Sequence, residues 1–138
     1  MRFLFGEPYK VKYAEKTGVL MVTESASGIC GTLEMASYCT SRDWQEALFV
    51  AFERGYIKVE LPAPLACQHA GTVTVMRDNG KGIPTITQPV LPKLSAMRKQ
   101  AMNFLAAVRG ERPVPCQAAE GAEDLRIARD YIKLKHNL

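Results

Sequence analysis

Apolar and polar residues alternate over most of the first two thirds of the chain, a pattern that predicts β-strands. Short turns such as Lys16-Thr17-Gly18 and Asp78-Asn79-Gly80 separate the alternating stretches. The predicted strands are residues 9–15, 19–26, 29–40, 44–52, 56–61 and 71–77. Short strands that are joined by short turns predict an antiparallel meander.

The alternation also predicts which side chains share a face of the sheet. In the second strand Met21 and Thr23 lie on one side, and in the first strand Val11 and Tyr13 share a side. Several strands carry apolar residues on both sides. Helices from this chain can cover one face only, and large exposed apolar patches are rare on monomers. The second face is therefore expected to meet another sheet, domain or subunit.

Two helices are predicted to close the chain, because apolar residues recur there every three or four positions. The first is expected over residues 93–109, with an inner face of Leu94, Met97, Ala101, Phe104, Leu105 and Val108. The second is expected to turn Ala122, Leu125, Ala128, Ile132 and Tyr131 inward. The predicted class is α+β, an open-faced, mainly antiparallel β-sheet with helices packed on one face.

Length and composition indicate an ordinary folded domain. The 138 residues, 47% of them hydrophobic and 23% charged, predict one domain over residues 1–138. The net charge of +4 comes from scattered residues, so no nucleic-acid partner is expected. No apolar run approaches the ~20 residues that cross a bilayer, and the N-terminus lacks a signal-peptide pattern. No membrane association is expected.

The cysteines do not predict a metal site. None of Cys30, Cys39, Cys67 and Cys116 forms a C-x-x-C pair, and the chain has only two histidines. Reduced thiols in a cytoplasmic protein are the simpler interpretation. The serines Ser25 and Ser27 have no histidine at a spacing typical of a catalytic triad, so a serine nucleophile is not expected.

Three segments resemble the C-terminal domain of the Gfo/Idh/MocA oxidoreductases. The first is RFLFGEP, similar to the end of a helix and the turn after it. The second is SGICGTLEMA, then Trp44, then ERGYIKVELP, similar to a run of core strands. The third is NFLAAVRGERP followed by AEGAEDLRIARDYI, similar to two closing helices whose short link carries an acidic-Gly pair, here Glu120 and Gly121.

The resemblance implies a fragment that lacks an N-terminal Rossmann domain. That domain would bind NAD or NADP and carry the catalytic residues, so this chain is expected to bind no cofactor and to be inactive alone. No G-x-G-x-x-G pattern follows a strand and opens a helix in this sequence. The parent would oxidise a sugar, polyol or related hydroxy compound by hydride transfer. This domain would line the substrate pocket and form a homo-oligomer through its open sheet face.

Three residues are candidates for contact with a substrate. Gln68 and His69 lie in a loop rich in proline and glycine, where they could hydrogen-bond hydroxyl groups, although a surface loop without a role explains them as well. Trp44 could stack on a substrate ring, or it could serve packing or a subunit contact. A different overall interpretation is a stand-alone module whose open sheet dimerises or binds a small ligand without catalysis.

Overall fold

The fold consists of seven strands and three helices in the part of the chain that the computed structural model describes, residues 1–35, 45–63 and 65–138. The elements in chain order are α1 (Arg2–Phe5), β1 (Tyr9–Ala14), β2 (Leu20–Ser25), β3 (Cys30–Glu34), β4 (Glu46–Phe52), β5 (Gly55–Leu61), β6 (Thr72–Arg77), β7 (Thr85–Thr87), α2 (Ala96–Val108) and α3 (Ala118–His136). The predicted α+β class with antiparallel strands is confirmed.

The strands form two separate antiparallel sheets. β1, β2 and β3 form a three-stranded sheet in that order, and β4 to β7 form a four-stranded meander in that order. The chain divides accordingly into two compact units, Met1–Cys39 with Cys116–Leu138, and Thr40–Pro115. That residues 1–138 fold as a single domain stays a prediction.

The core of the first unit lies between its sheet and helix α3, which packs on β1. Met21, Thr23 and Ser25 are buried on one face of β2, which confirms the alternation predicted for that strand. Thr23 is fully buried, and its hydroxyl donates a hydrogen bond to the carbonyl oxygen of Gly31 at 3.1 Å. The pairing satisfies a polar group that would otherwise destabilise the core.

The prediction that Val11 and Tyr13 share a face of β1 is wrong. Val11 pairs with Thr23 on the buried side, whereas Tyr13 pairs with Val22 on the opposite side. A β-bulge between Val11 and Tyr13 causes the change, because one extra residue reverses the facing of every residue beyond it. Tyr13 is therefore half exposed, on the face opposite α3.

The predicted inner face of α3 is wrong except for Tyr131. Leu125 is 74% exposed and Ile132 is 50% exposed, while Ile127 is the buried residue of the helix. Tyr131 follows Ile127 by four positions, so both lie on the row that faces the sheet. The helix has two apolar rows on adjoining sides, and the pattern alone does not tell which of them meets β1.

Local interactions stabilise both ends of α3. The backbone N–H of Gln117 donates to Glu120 Oε2 at 2.6 Å, as in a capping box. Lys133 and Lys135 lie in the last turn, where positive charge stabilises the helix dipole. Glu120 and Gly121, which the resemblance places in the link before this helix, lie within its first turns instead.

The short helix α1 is held against α3 by Arg2. Its Nη2 atom donates to Asp124 Oδ1 at 2.6 Å and to the carbonyl oxygen of Glu120 at 2.8 Å. Phe5 of α1 meets the ring of Tyr9 edge-on, with 5.5 Å between the centroids. Partial burial, and then the nearby Asp124 carboxylate, raise the pKa of Tyr9. Gly6 ends α1 in the left-handed conformation, with φ 69°.

In the second unit, helix α2 begins at Ala96 rather than at residue 93. No residue of α2 is buried, and Phe104 and Val108 of its predicted inner face are 63% and 69% exposed. The apolar stripe that predicts the helix therefore does not mark a buried face within this unit.

Two further predictions concern the ends of strands, one at a turn and one at the end of β3. The turn at Asp78-Asn79-Gly80 is confirmed, because Asp78 Oδ1 accepts a hydrogen bond from the Gly80 N–H at 2.7 Å and Gly80 has φ 71°. The strand predicted over residues 29–40 ends at Glu34 in the described chain, and residues 36–44 lie outside it.

Candidate functional site

The substrate-side candidates Gln68 and His69 lie next to each other in the loop between β5 and β6. Both side chains are exposed. The loop folds back through a hydrogen bond from the Ala66 N–H to the Ala63 carbonyl oxygen at 2.8 Å. Such a loop presents an imidazole and an amide side by side, which are groups that can donate to and accept from hydroxyls. Within residues 1–35, 45–63 and 65–138, the structure gives neither side chain a hydrogen-bond partner.

The third candidate, Trp44, lies outside the described residues. The structure therefore describes two of the three residues that the sequence singled out. A shared site that includes Trp44 stays a prediction.

A cluster of one carboxylate and two hydroxyls occupies the β2–β3 turn. Glu7 Oε1 accepts hydrogen bonds from the backbone N–H of Ser27 at 3.1 Å and from the Ser27 hydroxyl. The hydroxyls of Ser25 and Ser27 are 3.3 Å apart, and Ser25 Oγ accepts from the N–H of Ile29 at 3.0 Å. Hydrogen bonds from the two serines lower the pKa of Glu7.

This cluster works as a tether and not as a nucleophile. A serine nucleophile needs a base that takes its proton, and an ionised Glu7 with a lowered pKa is a poor base near neutral pH. Its effect is to fix the link between α1 and β1 to the turn between β2 and β3. Sequence patterns gave no sign of it, because Glu7 and Ser27 are twenty positions apart.

In the part of the chain that the structure describes, the face of the three-stranded sheet opposite α3 is open. Its residues come from all three strands: Lys10, Tyr13, Leu20, Val22, Glu24, Cys30, Thr32 and Glu34. Lys12 Nζ lies 2.5 Å from Glu24 Oε2, and this hydrogen-bonded pairing raises the pKa of Lys12. The face combines a partly exposed apolar centre with charges at its rim, which is the general anatomy of a protein interface.

The four-stranded sheet has one continuous apolar face. Cross-strand pairing places on it Leu48, Val50, Phe52, Ile57, Val59, Leu61, Val73 and Val75. None of these side chains is fully buried, and Phe52 remains 59% exposed. Exposed apolar patches of this kind mark interaction surfaces more often than inert surface.

The exposed area of the chain exceeds that of compact proteins of its size. The accessible surface is 10988 Å² for 15.3 kDa. Even two separate compact proteins of half this mass would expose only about 8,600 Å² together.

The described residues contain no metal-binding cluster. No group of three or more His, Cys, Asp or Glu side chains comes together in them. Cys30, Cys67 and Cys116 are exposed and free. As for membranes, no helix in the described residues is both long enough and apolar enough to cross a bilayer.

Comparisons with protein-family models, with curated proteins and with solved structures found no match for this chain.

Proposed function

We propose that this chain is the substrate-side and subunit-assembly domain of an NAD(P)-dependent oxidoreductase that acts on a sugar, polyol or related hydroxy compound. The observation that carries the proposal is the one-sided cover of the three-stranded sheet. Helix α3 packs on one face, and the opposite face leaves Tyr13 and Val22 open to a partner. This arrangement agrees with the resemblance to the Gfo/Idh/MocA C-terminal domain in its order of elements.

The proposal gives the two domains of the parent enzyme separate roles. The nicotinamide would be bound by a separate Rossmann domain and would accept or supply the hydride. Residues of this chain would orient the substrate, with Gln68 and His69 hydrogen-bonding its hydroxyls from the β5–β6 loop. The isolated chain would then bind no dinucleotide and catalyse no hydride transfer.

A binding experiment tests directly whether the cofactor site lies outside this chain. The purified chain is titrated with NADH and with NADPH, and the nicotinamide fluorescence is followed. We expect no saturable change with either cofactor up to millimolar concentration. Saturable micromolar binding would overturn the proposal, because this chain would then hold the cofactor itself.

The natural reading frame gives a second test. If the sequence upstream of Met1 encodes a strand, then G-x-G-x-x-G, then a helix, the proposal predicts that the longer protein reduces NAD or NADP with a polyol. In that protein His69→Ala should raise KM for the polyol about tenfold, the loss of roughly one hydrogen bond, with kcat less affected. Lys81→Ala, in the turn between β6 and β7, is the matched control and should leave KM unchanged.

The second candidate is a stand-alone module without catalysis, which dimerises or binds a small ligand through its open sheet. The continuous apolar face of the four-stranded sheet favours it, because that face needs a partner but no cofactor. A reading frame that begins at Met1, together with an absence of dinucleotide binding, would select this candidate.

A further inference from the structure

The described residues leave one edge of the four-stranded sheet unpaired. The order β4-β5-β6-β7 makes β4 and β7 the edges, and among the described residues β4 pairs only with β5. β7 has three residues and is followed within two positions by Pro89, features that discourage further pairing. β4 has seven residues, contains no Pro or Gly and carries one charge, Glu46, at its end. A long apolar edge of this kind is a template for another strand.

The sequence of β4 is suited to pair with itself. Ala47-Leu48-Phe49-Val50-Ala51 is nearly symmetrical about Phe49. In an antiparallel pairing centred on Phe49, each Ala47 meets the partner's Ala51 and each Leu48 meets the partner's Val50, while Phe49 meets its own copy. A two-fold axis requires this self-complementarity, in which residue i meets j and j meets i.

We propose that two copies of this chain join through β4, antiparallel and centred on Phe49, to form a continuous eight-stranded sheet. The partner is a second copy because the pairing places small opposite small and large opposite large, and sets no like charges against each other. Phe49 stays 61% exposed although its ring stacks on Tyr56, so part of the ring remains accessible to the partner's Phe49 at the junction. The surface is an edge, separate from the open faces invoked above, so the inference stands whether or not the parent is an oxidoreductase.

The test places charge on the proposed axis. We expect the unaltered chain to have the mass of a dimer in light scattering at micromolar concentration. Phe49→Lys and Phe49→Glu should each halve the mass, because each sets like charges against each other. An equimolar mixture of the two variants should recover the dimer, because opposite charges then meet.

A control variant distinguishes a dimer contact through the β4 edge from one through the face of the sheet. Thr72→Lys adds the same charge to the same side of the sheet, but on the inner strand β6, two strands away from the edge. We expect it to remain dimeric. A monomeric unaltered chain, an unchanged mass for Phe49→Lys, or a mixture that stays monomeric would each overturn the proposal. The proposal would also be overturned if Thr72→Lys were monomeric while Phe49→Lys stayed dimeric, because the contact would then lie on the face of the sheet.

A second pair of variants avoids the loss of the Phe49 ring, which stacks on Tyr56 with 5.2 Å between centroids. In the proposed register Ala47→Lys with Ala51→Lys opposes like charges twice, whereas Ala47→Lys with Ala51→Glu opposes unlike charges twice. We expect the first double variant to be monomeric and the second dimeric, with the same circular dichroism spectrum. Equal masses for the two would contradict the register. These outcomes are independent of cofactor binding, so failure here is distinguishable from failure of the proposed function.

Discussion

The hydroxyl of Tyr131 donates a hydrogen bond to the carbonyl oxygen of Gly18 at 3.2 Å, joining the last helix to the β1–β2 turn. The two residues are 113 positions apart in the chain. Gly18 has φ 85°, and a β-carbon there would lie 2.9 Å from the Tyr131 hydroxyl oxygen. The turn therefore needs glycine both for its backbone conformation and for the approach of the tyrosine.

Removing this hydroxyl should destabilise the first unit measurably. Tyr131→Phe keeps the ring but leaves the Gly18 carbonyl without its donor, so we expect the free energy of unfolding to fall by about 1 kcal/mol. Urea denaturation followed by circular dichroism measures the change. Tyr13→Phe is the control, because Tyr13 is half exposed on the open face. For this surface position we expect a change of at most about 0.5 kcal/mol. Equal losses for the two variants would contradict the assignment.

The packing face of α3 can be tested with two truncations of similar size. Ile127 is buried against the sheet. Ile127→Ala should therefore cost about 2–4 kcal/mol of unfolding free energy. Leu125, in contrast, is 74% exposed. Leu125→Ala should change stability by at most about 0.5 kcal/mol, since leucine and alanine both favour helices. If Leu125→Ala proved the more damaging, the helix would pack with the face that the sequence pattern first predicted.

The burial of β2 and the identity of the terminal helices could be predicted, because both follow from local periodicity. The side of the sheet on which Tyr13 lies could not be predicted. A β-bulge at Lys12 changes the register, and the alternation of apolar and polar residues gives no sign of it. The inner face of α3 could not be predicted either. Leu125 and Ile127 belong to two different apolar rows of the helix, and only the contact with β1 shows which row is buried. The Glu7–Ser27 tether also depends on a contact between distant segments. Of the candidate site, the sequence correctly placed Gln68 and His69 in an exposed loop.

Acid should loosen the tether at the β2–β3 turn. Hydrogen bonds from Ser25 and Ser27 hold the pKa of Glu7 below its ordinary value of 4.5, so folding favours the ionised carboxylate. A group whose pKa is lowered by folding contributes its stability above the unfolded pKa and loses it as the pH falls through the folded pKa. We therefore expect Glu7→Gln to be less stable than the unaltered chain at pH 7, with the difference shrinking below about pH 4.5.

Thermal denaturation at a series of pH values measures this effect. Glu53→Gln, in the exposed β4–β5 turn, removes the same charge elsewhere and serves as the control. A stability difference for Glu7→Gln that stays constant from pH 7 to pH 3 would contradict ionisation as its source.

The pairing of β5 with β6 depends on Gly55, although the φ of this residue is not positive. A β-carbon at Gly55 would lie 2.3 Å from the carbonyl oxygen of Met76, a backbone atom of the neighbouring strand. That oxygen cannot rotate away as a side chain could, so the strands β5 and β6 would have to separate locally. We expect Gly55→Ala to lower the free energy of unfolding by about 1–3 kcal/mol, as overpacking does in cores.

Gly82→Ala is the matched control for Gly55→Ala, because nothing lies within 4 Å of the β-carbon position of Gly82. The control should leave stability unchanged or raise it by up to about 1 kcal/mol, since alanine restricts the unfolded chain. Denaturant titration of both variants decides the matter, and an equal effect at the two sites would mean that β5 and β6 approach less closely at Gly55.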